Sequence, residues 1–273
     1  MNMSAISDEE LTSITRAIYS RYGIDFAHYE PVSFKRRVAR IISRHGLENT
    51  LGLWRKMLSD GQFIFTFIDE ITVGLTEMFR NAEFWLRMRS DILPQFYAKS
   101  RLNIWHAGCS TGEEVYSMAI LLLEEDLIHK ARVTATDLNN QAISQAAAGT
   151  FSGAYLPAYQ KNYAAAGGKR SLNCYYSLDG DDIRFNKINR QAFTFYQHNL
   201  VKDPMPGPFD IVFCRNVMIY FDDVLKMNVL RLFHGCLSPG GYFVIGYYDA
   251  MPDGYQQFFE LYDPNTKTYR RVP

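Results

Sequence analysis

LNIWHAGCSTGEEVYSMAILLLEE, residues 102–125, decides how this chain folds. Leu102 to Ala107 is a short apolar run that ends at small residues, as a buried strand does. A helix-like stretch from Glu113 to Glu125 follows directly. The pattern then repeats: ARVTATD (131–137) reads as a second strand, with a helix from about Gln141 to Ala148. FDIVFCRN (209–216) is a third strand before a helix around Val224–Cys236, and Pro239-Gly240-Gly241 turns into a strand at YFVIG (242–246). Strands alternating with helices imply a parallel sheet covered on both faces. In that doubly wound α/β layout, ligands bind outside the carboxyl ends of the strands.

The turn between the first strand and its helix carries the first chemical signal. Gly108 and Gly112 let the backbone turn tightly and approach a ligand closely. The full dinucleotide fingerprint is absent, and Glu113 and Glu114 at the helix start repel phosphate. They suit an ammonium group instead, which points to an amino-acid-bearing cofactor; without a ligand, the same acids simply complement the helix dipole. Asp137 ends the second strand, where an acid accepts hydrogen bonds from ribose hydroxyls. Together these features imply a nucleoside-type cofactor.

Moving outward, the alternation breaks between Phe151 and Phe195. YYSLDGDDIRF (175–185) reads as a hairpin turning at Asp-Gly, and FTFYQHN (193–199) as a further strand. This is a small antiparallel β insertion, about 153–192. Residues 7–72 carry helical periodicity only. Ser7 and Glu10 form a capping-box pattern ahead of Leu11, Ile14 and Ile18. Pro31 opens a segment with Phe34, Val38, Ile41 and Ile42 on one face and Lys35, Arg36, Arg37, Arg40 and Arg44 around it. Apolar stretches at Leu51–Leu58 and Phe63–Ile71 complete four short helices. The expected division is a helical domain over 1–74 and a Rossmann-like domain over 75–273.

Lysine plus arginine equals aspartate plus glutamate, 29 of each, so net charge favours no nucleic-acid partner. Cys109, Cys174, Cys214 and Cys236 form no C-x-x-C pair, and no metal cluster is expected. Their surroundings suit reduced thiols in a cytoplasm. MNMSAISDEE lacks the pattern of a signal peptide, and the apolar run Met118–Leu123 is too short to insert in a membrane. Nothing in the chain specifies an oligomeric state.

TEMFR (76–80), AGCSTGEEVYS (107–117), ATD (135–137), HNL (198–200) and FDIVFCRNVMIYF (209–221) occur in this order. In these strings the chain resembles the CheR family of chemotaxis-receptor glutamate O-methyltransferases. The resemblance covers the chain from about residue 7 to its end. It implies S-adenosylmethionine as cofactor, S-adenosylhomocysteine as product, and a methyl-accepting chemotaxis receptor or similar signalling protein as partner. Thr76 and Arg80 match residues at the methionine end of the cofactor, with Arg80 also facing the active site. Glu114 matches the acid near the cofactor's amino group, with Glu113 the weaker candidate, and Ala107 is a further cofactor-binding position. Asp137 matches the ribose-binding acid, Asn199 and Leu200 the adenine-side pair, and Arg215 and Asn216 the residues beneath the substrate channel. Tyr220 matches a tyrosine near the transferred methyl. Arg36, Arg37 and Arg40 match a basic helix that docks on the receptor; the plain alternative is a solvated charged face.

A glutamate carboxylate is already ionised at neutral pH, so methyl transfer needs no general base. The enzyme's task is mainly orientation, in which Arg80 could align a carboxylate of cofactor or substrate. Two departures stand out: Gly74 where relatives often carry Asn, and Gly246-Tyr247-Tyr248-Asp249 where they show a turn ending in Glu. The second bears on substrate specificity. It also leaves room for a cofactor-sensing interaction module that has lost turnover, or for a methyltransferase of a small-molecule acid.

Overall fold

The computed structural model describes residues 6–22, 26, 31–72, 76–186, 188, 190–205, 207–221 and 223–273. The chain divides into two compact units, Met1–Gly74 with Tyr220–Lys226, and Leu75–Ile219 with Met227–Pro273. Gly74 lies outside the described residues.

The first unit holds four helices: α1 (Asp8–Tyr22), α2 (Pro31–Arg44), α3 (Thr50–Ser59) and α4 (Phe63–Thr72). The capping box at α1 forms as expected. Ser7 Oγ accepts from the Glu10 amide at 3.1 Å, and Glu10 Oε2 accepts from the Ser7 amide at 2.9 Å. Asn49 caps α3 by accepting from the Gly52 amide. Ile18, Val38, Leu53, Met57 and Phe67 are fully enclosed and Phe34 nearly so, and Phe26 stacks on Phe34 at 5.3 Å. Burial of about 1.5–3 kcal/mol per large apolar side chain holds these short helices, which are marginal alone.

The second unit is built on a seven-stranded sheet of order β6-β2-β1-β7-β8-β10-β9. Its strands are β1 (Leu102–Ala107), β2 (Ala131–Asp137), β6 (Phe193–Gln197), β7 (Phe209–Cys214), β8 (Leu237–Ile245), β9 (Phe259–Asp263) and β10 (Thr268–Arg271). The first five in spatial order run parallel, whereas β10 pairs antiparallel with both β8 and β9. The chain leaves β1 for β2 on one side and returns for β7 on the other, which makes the end of β1 the topological switch point. Every residue of β7 is buried, as a strand covered on both faces requires. The helices of this unit are α5 (Ala82–Arg87), α6 (Glu113–Glu124), α7 (Asn140–Ala148) and α8 (Leu156–Ala165); α9 (Asp223–Cys236) spans the boundary between units.

A separate sheet, β3 (Thr150–Ser152), β4 (Ser177–Asp179) and β5 (Asp182–Arg184), is antiparallel in the order β3-β5-β4. It begins three residues before the expected insertion, because Thr150–Ser152 pairs with the second arm of the hairpin. Helix α8 and the C-terminal hairpin β9–β10 had no counterpart in the sequence reading. Pro239-Gly240-Gly241 lies within β8, where the register against β7 shifts, instead of preceding a separate strand. No helix is long and apolar enough to cross a membrane, among the described residues.

Candidate functional site

Five neighbouring parallel strands deliver their ends to one edge of the sheet, and most of the sequence-derived candidates follow directly after those ends. Ala107 closes β1 and is buried. The amides of Gly108 and Cys109 both donate to the Thr136 carbonyl, at 2.8 and 2.9 Å, which ties the turn after β1 to the end of β2. Gly108, Ser110 and Gly112 all have positive φ, at 78°, 48° and 99°. A side chain at Gly112 would stand 2.9 Å from the Ala146 Cβ, so glycine here lets α6 start close against α7.

Asp137 braces the same turn. Its Oδ2 accepts from the Ser110 amide at 2.8 Å and its Oδ1 from the Asn139 amide at 3.0 Å. The side chain is half-buried, so part of the carboxylate faces outward from the turn. The His198 amide donates to the Asp137 carbonyl, so Asn199 and Leu200 follow β6 beside this acid. Asn199 Oδ1 already accepts from the Val201 amide at 2.9 Å, which shapes that turn.

The two glutamates at the head of α6 have different environments. Glu114 accepts from Arg215 Nη1 at 3.0 Å through one oxygen and lies 2.8 Å from His106 Nδ1 through the other. Burial pushes the Glu114 carboxyl up, but His106 and Arg215 outweigh it and hold the group below its ordinary range. His106 is fully buried, stacked on Phe213 at 4.5 Å, and its Nε2 has no partner among the described residues. Glu113 turns the other way, toward Thr111 (2.6 Å), Tyr159 (3.4 Å) and Thr76. Burial raises its carboxyl above the usual range.

Arg215, after β7, also donates from Nη2 to Asn81 Oδ1 at 2.8 Å and to the Arg80 carbonyl at 3.3 Å, with its guanidinium 4.5 Å from the Phe84 ring centre. Arg80 itself is half-buried between Phe79 and Asn81, two non-glycine residues with φ of 54° and 62°. Such backbone costs on the order of 1 kcal/mol or more per residue and persists only where neighbours enforce it. Here the Phe79 amide donates to Ser117 of α6, and Asn81 is held by Arg215. Thr76 and Arg80 therefore lie on a segment locked to the strand-end edge.

Asn216 has φ of 61°, and its amide donates to Asp249 Oδ2 at 2.6 Å. Asp249 accepts also from the Gly246 amide (2.7 Å) and the Ile219 amide (2.8 Å), and is completely buried. The acid of the Gly246–Asp249 turn is thus committed to backbone, and the departure read as a specificity feature is a brace for the turn after β7. Tyr248, one residue earlier, is 80% exposed. The backbone of Tyr220 ends a short 3-10 turn, and its side chain lies outside the described residues.

Of the basic residues of α2, Arg36 and Arg40 are exposed one helical turn apart. Arg37 departs from the expected docking face, because its guanidinium donates to the Ile71 carbonyl of α4. Lys35 pairs with Asp8 at 2.7 Å and Arg44 with Glu70 at 3.6 Å.

Sequence reasoning missed His106, Asn81 and the bracing by Asp249. A lone histidine inside an apolar strand reads as core, and only its alignment with Glu114 across the turn reveals a partnership. No lysine or arginine stands within the Gly108–Gly112 turn, and three carboxylates flank it. That donor set fits a zwitterionic sulfonium with a ribose and does not fit a pyrophosphate.

A parallel sheet that switches at β1, with Asp137 closing β2 and two glutamates at the head of α6, is laid out as an S-adenosylmethionine-dependent methyltransferase fold. Residues 74–267 match the SAM-binding domain of CheR methyltransferases, and residues 9–72 match the all-alpha domain of the same family. The chain belongs to the CheR methyltransferase family. The Pseudomonas putida protein Cher3 is 33% identical over 264 residues, covering 97% of this chain and 96% of that one. Chemotaxis protein methyltransferase 1 of Vibrio cholerae is 28% identical, covering 96% of each. Among solved structures, the S-adenosylmethionine-dependent methyltransferase SibL covers 70% of this chain and 54% of its own, at 13% identity and a TM-score of 0.38.

Proposed function

We propose that this methyltransferase esterifies the γ-carboxylate of glutamate side chains in a protein, most directly a chemotaxis receptor or similar signalling protein on the cytoplasmic side of its membrane. S-adenosylmethionine supplies an electrophilic methyl group on a sulfonium leaving group. An acceptor carboxylate oxygen attacks the methyl carbon, the S–CH3 bond breaks, and the products are a methyl ester and S-adenosylhomocysteine. No proton moves, so the chain's residues have to orient two molecules and exclude water, work that can lower a barrier by ~7–11 kcal/mol in ideal cases.

The observation that supports this reading best is the row formed by Asp137, Glu114 and Arg215 along adjacent strand ends. In this proposal Asp137 accepts from the ribose hydroxyls, and Asn199 and Leu200 line the adenine side. Glu114, kept anionic by its partners, receives the amino group in preference to Glu113, which burial pushes toward neutrality. Ala107 leaves space beside it, and Thr76 and Arg80 hold the carboxyl end of the methionine moiety. Arg215 and Asn216 shape the floor of the acceptor channel, and Tyr220 stands near the methyl. Arg36 and Arg40 meet the acidic acceptor segment; Arg37 supports them from within the bundle.

The test is transfer of labelled methyl to a receptor cytoplasmic fragment. Label released by mild base is expected, as an ester requires. Binding of S-adenosylhomocysteine without transfer to any receptor fragment would sink the esterification, and no affinity for it would sink the site as well.

A further inference from the structure

At the opposite edge of the sheet, where β1 and β2 begin, lies a recess of about 430 Å³ that the methyl-transfer reading does not use. Its lining is Lys99, Ser100, Arg101, His129, Lys130 and Arg132, five basic side chains and a serine with no acid among them. The chain as a whole carries equal numbers of basic and acidic residues, so this is a local asymmetry. Arg132 precedes Asp137 by five residues along β2, which separates the recess from the strand-end site by about 17 Å.

The basic groups are neutralised only in part. Lys99 pairs with Asp210, which is itself buried and also accepts from the Asn103 amide at 2.9 Å. His129 has only the distant Asp126, at 3.8 Å. Lys130 is anchored by neutral groups, donating to the carbonyls of Tyr97 (2.7 Å) and Phe96 (3.1 Å). Arg132 likewise donates to the Ala131 carbonyl at 2.7 Å, and Arg101 has no hydrogen bond or ion pair among the described residues. Glu124 and Glu125, at the end of α6, are taken by Arg89 and Lys169. The C-terminal end of α6 favours a cation nearby, which accounts for Lys130 and His129, but Arg101 and Arg132 lie on β1 and β2 flanks, outside that last turn.

We propose that this recess binds a soluble phosphate ester bearing adjacent phosphate groups. Lys130, Arg101 and Arg132 line one recess with no ion pair among the described residues, and an anion reaching all three relieves their mutual repulsion. Two linked phosphates offer enough acceptor oxygens to engage all three. A single carboxylate offers two.

Inorganic pyrophosphate is the probe, because a nucleotide's adenosine could enter the strand-end site instead. Calorimetry on the full chain at low salt, with S-adenosylhomocysteine saturating, is expected to show pyrophosphate binding that weakens as salt is raised. Arg101→Glu combined with Arg132→Glu, both at exposed positions, is expected to weaken it at least about tenfold while leaving S-adenosylhomocysteine affinity unchanged. No binding at about 1 mM pyrophosphate, equal binding by the double variant, or competition with S-adenosylhomocysteine overturns the proposal. An oligoglutamate peptide that binds the unaltered chain more tightly than pyrophosphate assigns the recess to acidic peptides and overturns it too.

Discussion

The turn after β1 and the turn after β7 each pass through left-handed backbone, and each is tied down by a carboxylate from a neighbouring strand. Asp137, at the end of β2, holds the Ser110 amide; Asp249, just beyond β8, holds the amides of Asn216 and Ile219. The two turns also touch, since a Cβ at Gly108 would lie 2.4 Å from the Val217 Cγ2. Yet Asp137 is half-buried, whereas Asp249 is fully buried beneath three amide donors. Residue type is the same. Exposure decides which acid a ligand can reach.

Asp249→Ala is expected to have the largest effect. It strands three amides, at a cost of about 3 kcal/mol or more, and should lower the melting temperature by roughly 6–12 °C. A fall of only a degree or two would break the claim that this acid braces the turn. Asp137→Ala is expected to shift stability less but to weaken S-adenosylhomocysteine binding by about 10–100-fold in calorimetry, the worth of one or two charge-assisted hydrogen bonds. If it instead behaves like Asp249→Ala, with unchanged affinity, both acids are braces and the contrast disappears. Gly108→Ala should cost about 2 kcal/mol in denaturant unfolding, through contact with Val217 and through its φ of 78°. Adding Val217→Ala should recover part of that loss. Full additivity of the two changes would show that the turns do not press on each other.

Smaller effects should appear in pH titrations of stability. Burial raises Asp249 above its ordinary 3.8 despite the three amides, so the folded chain binds that proton more tightly than the unfolded chain. Its contribution therefore declines as pH rises from 3.8 through the raised value, and is flat above it. Glu114 is lowered from 4.5, so its contribution is complete above 4.5 and disappears as pH falls through the folded value. Glu114→Gln should remove the acid-side loss, seen as a flatter melting temperature as pH falls below 4.5. Arg36→Glu with Arg40→Glu, remote from both turns in sequence, should leave S-adenosylhomocysteine affinity unchanged and raise the KM for a receptor fragment a fewfold, an effect that fades with salt. Altered cofactor affinity there would undo the separation of roles.

The parallel half of the sheet was legible because its strands are continuous apolar runs next to helices of different period. The hairpin β9–β10 was not, because FELYD and TYRR are short and largely polar, although Asp263-Pro264-Asn265 between them is a turn signal. Helix α8 was hidden by its weak amphipathicity: Leu156–Ala165 is alanine-rich and buries only Tyr159 and Tyr163, with Gln160, Lys161 and Asn162 between them. At the site, the strand-end positions of Asp137, Glu114 and Arg215 could be placed from local order alone. Their partnerships could not: Arg215 and Glu114 are 101 residues apart, and Asn216 and Asp249 are 33 apart. An acid in a Gly-Tyr-Tyr-Asp turn gives no sign of facing inward until the neighbouring strand is in place.

Strand β10 pairs between β8 and β9, although it follows both in the chain. During synthesis, β8 and β9 are complete before the residues that join them have left the ribosome. Until Thr268–Arg271 arrives, one side of β8 has its hydrogen-bonding groups open to any passing strand, a route to misassembly. The seven-stranded sheet thus waits on Thr268–Arg271 to join β8 to β9.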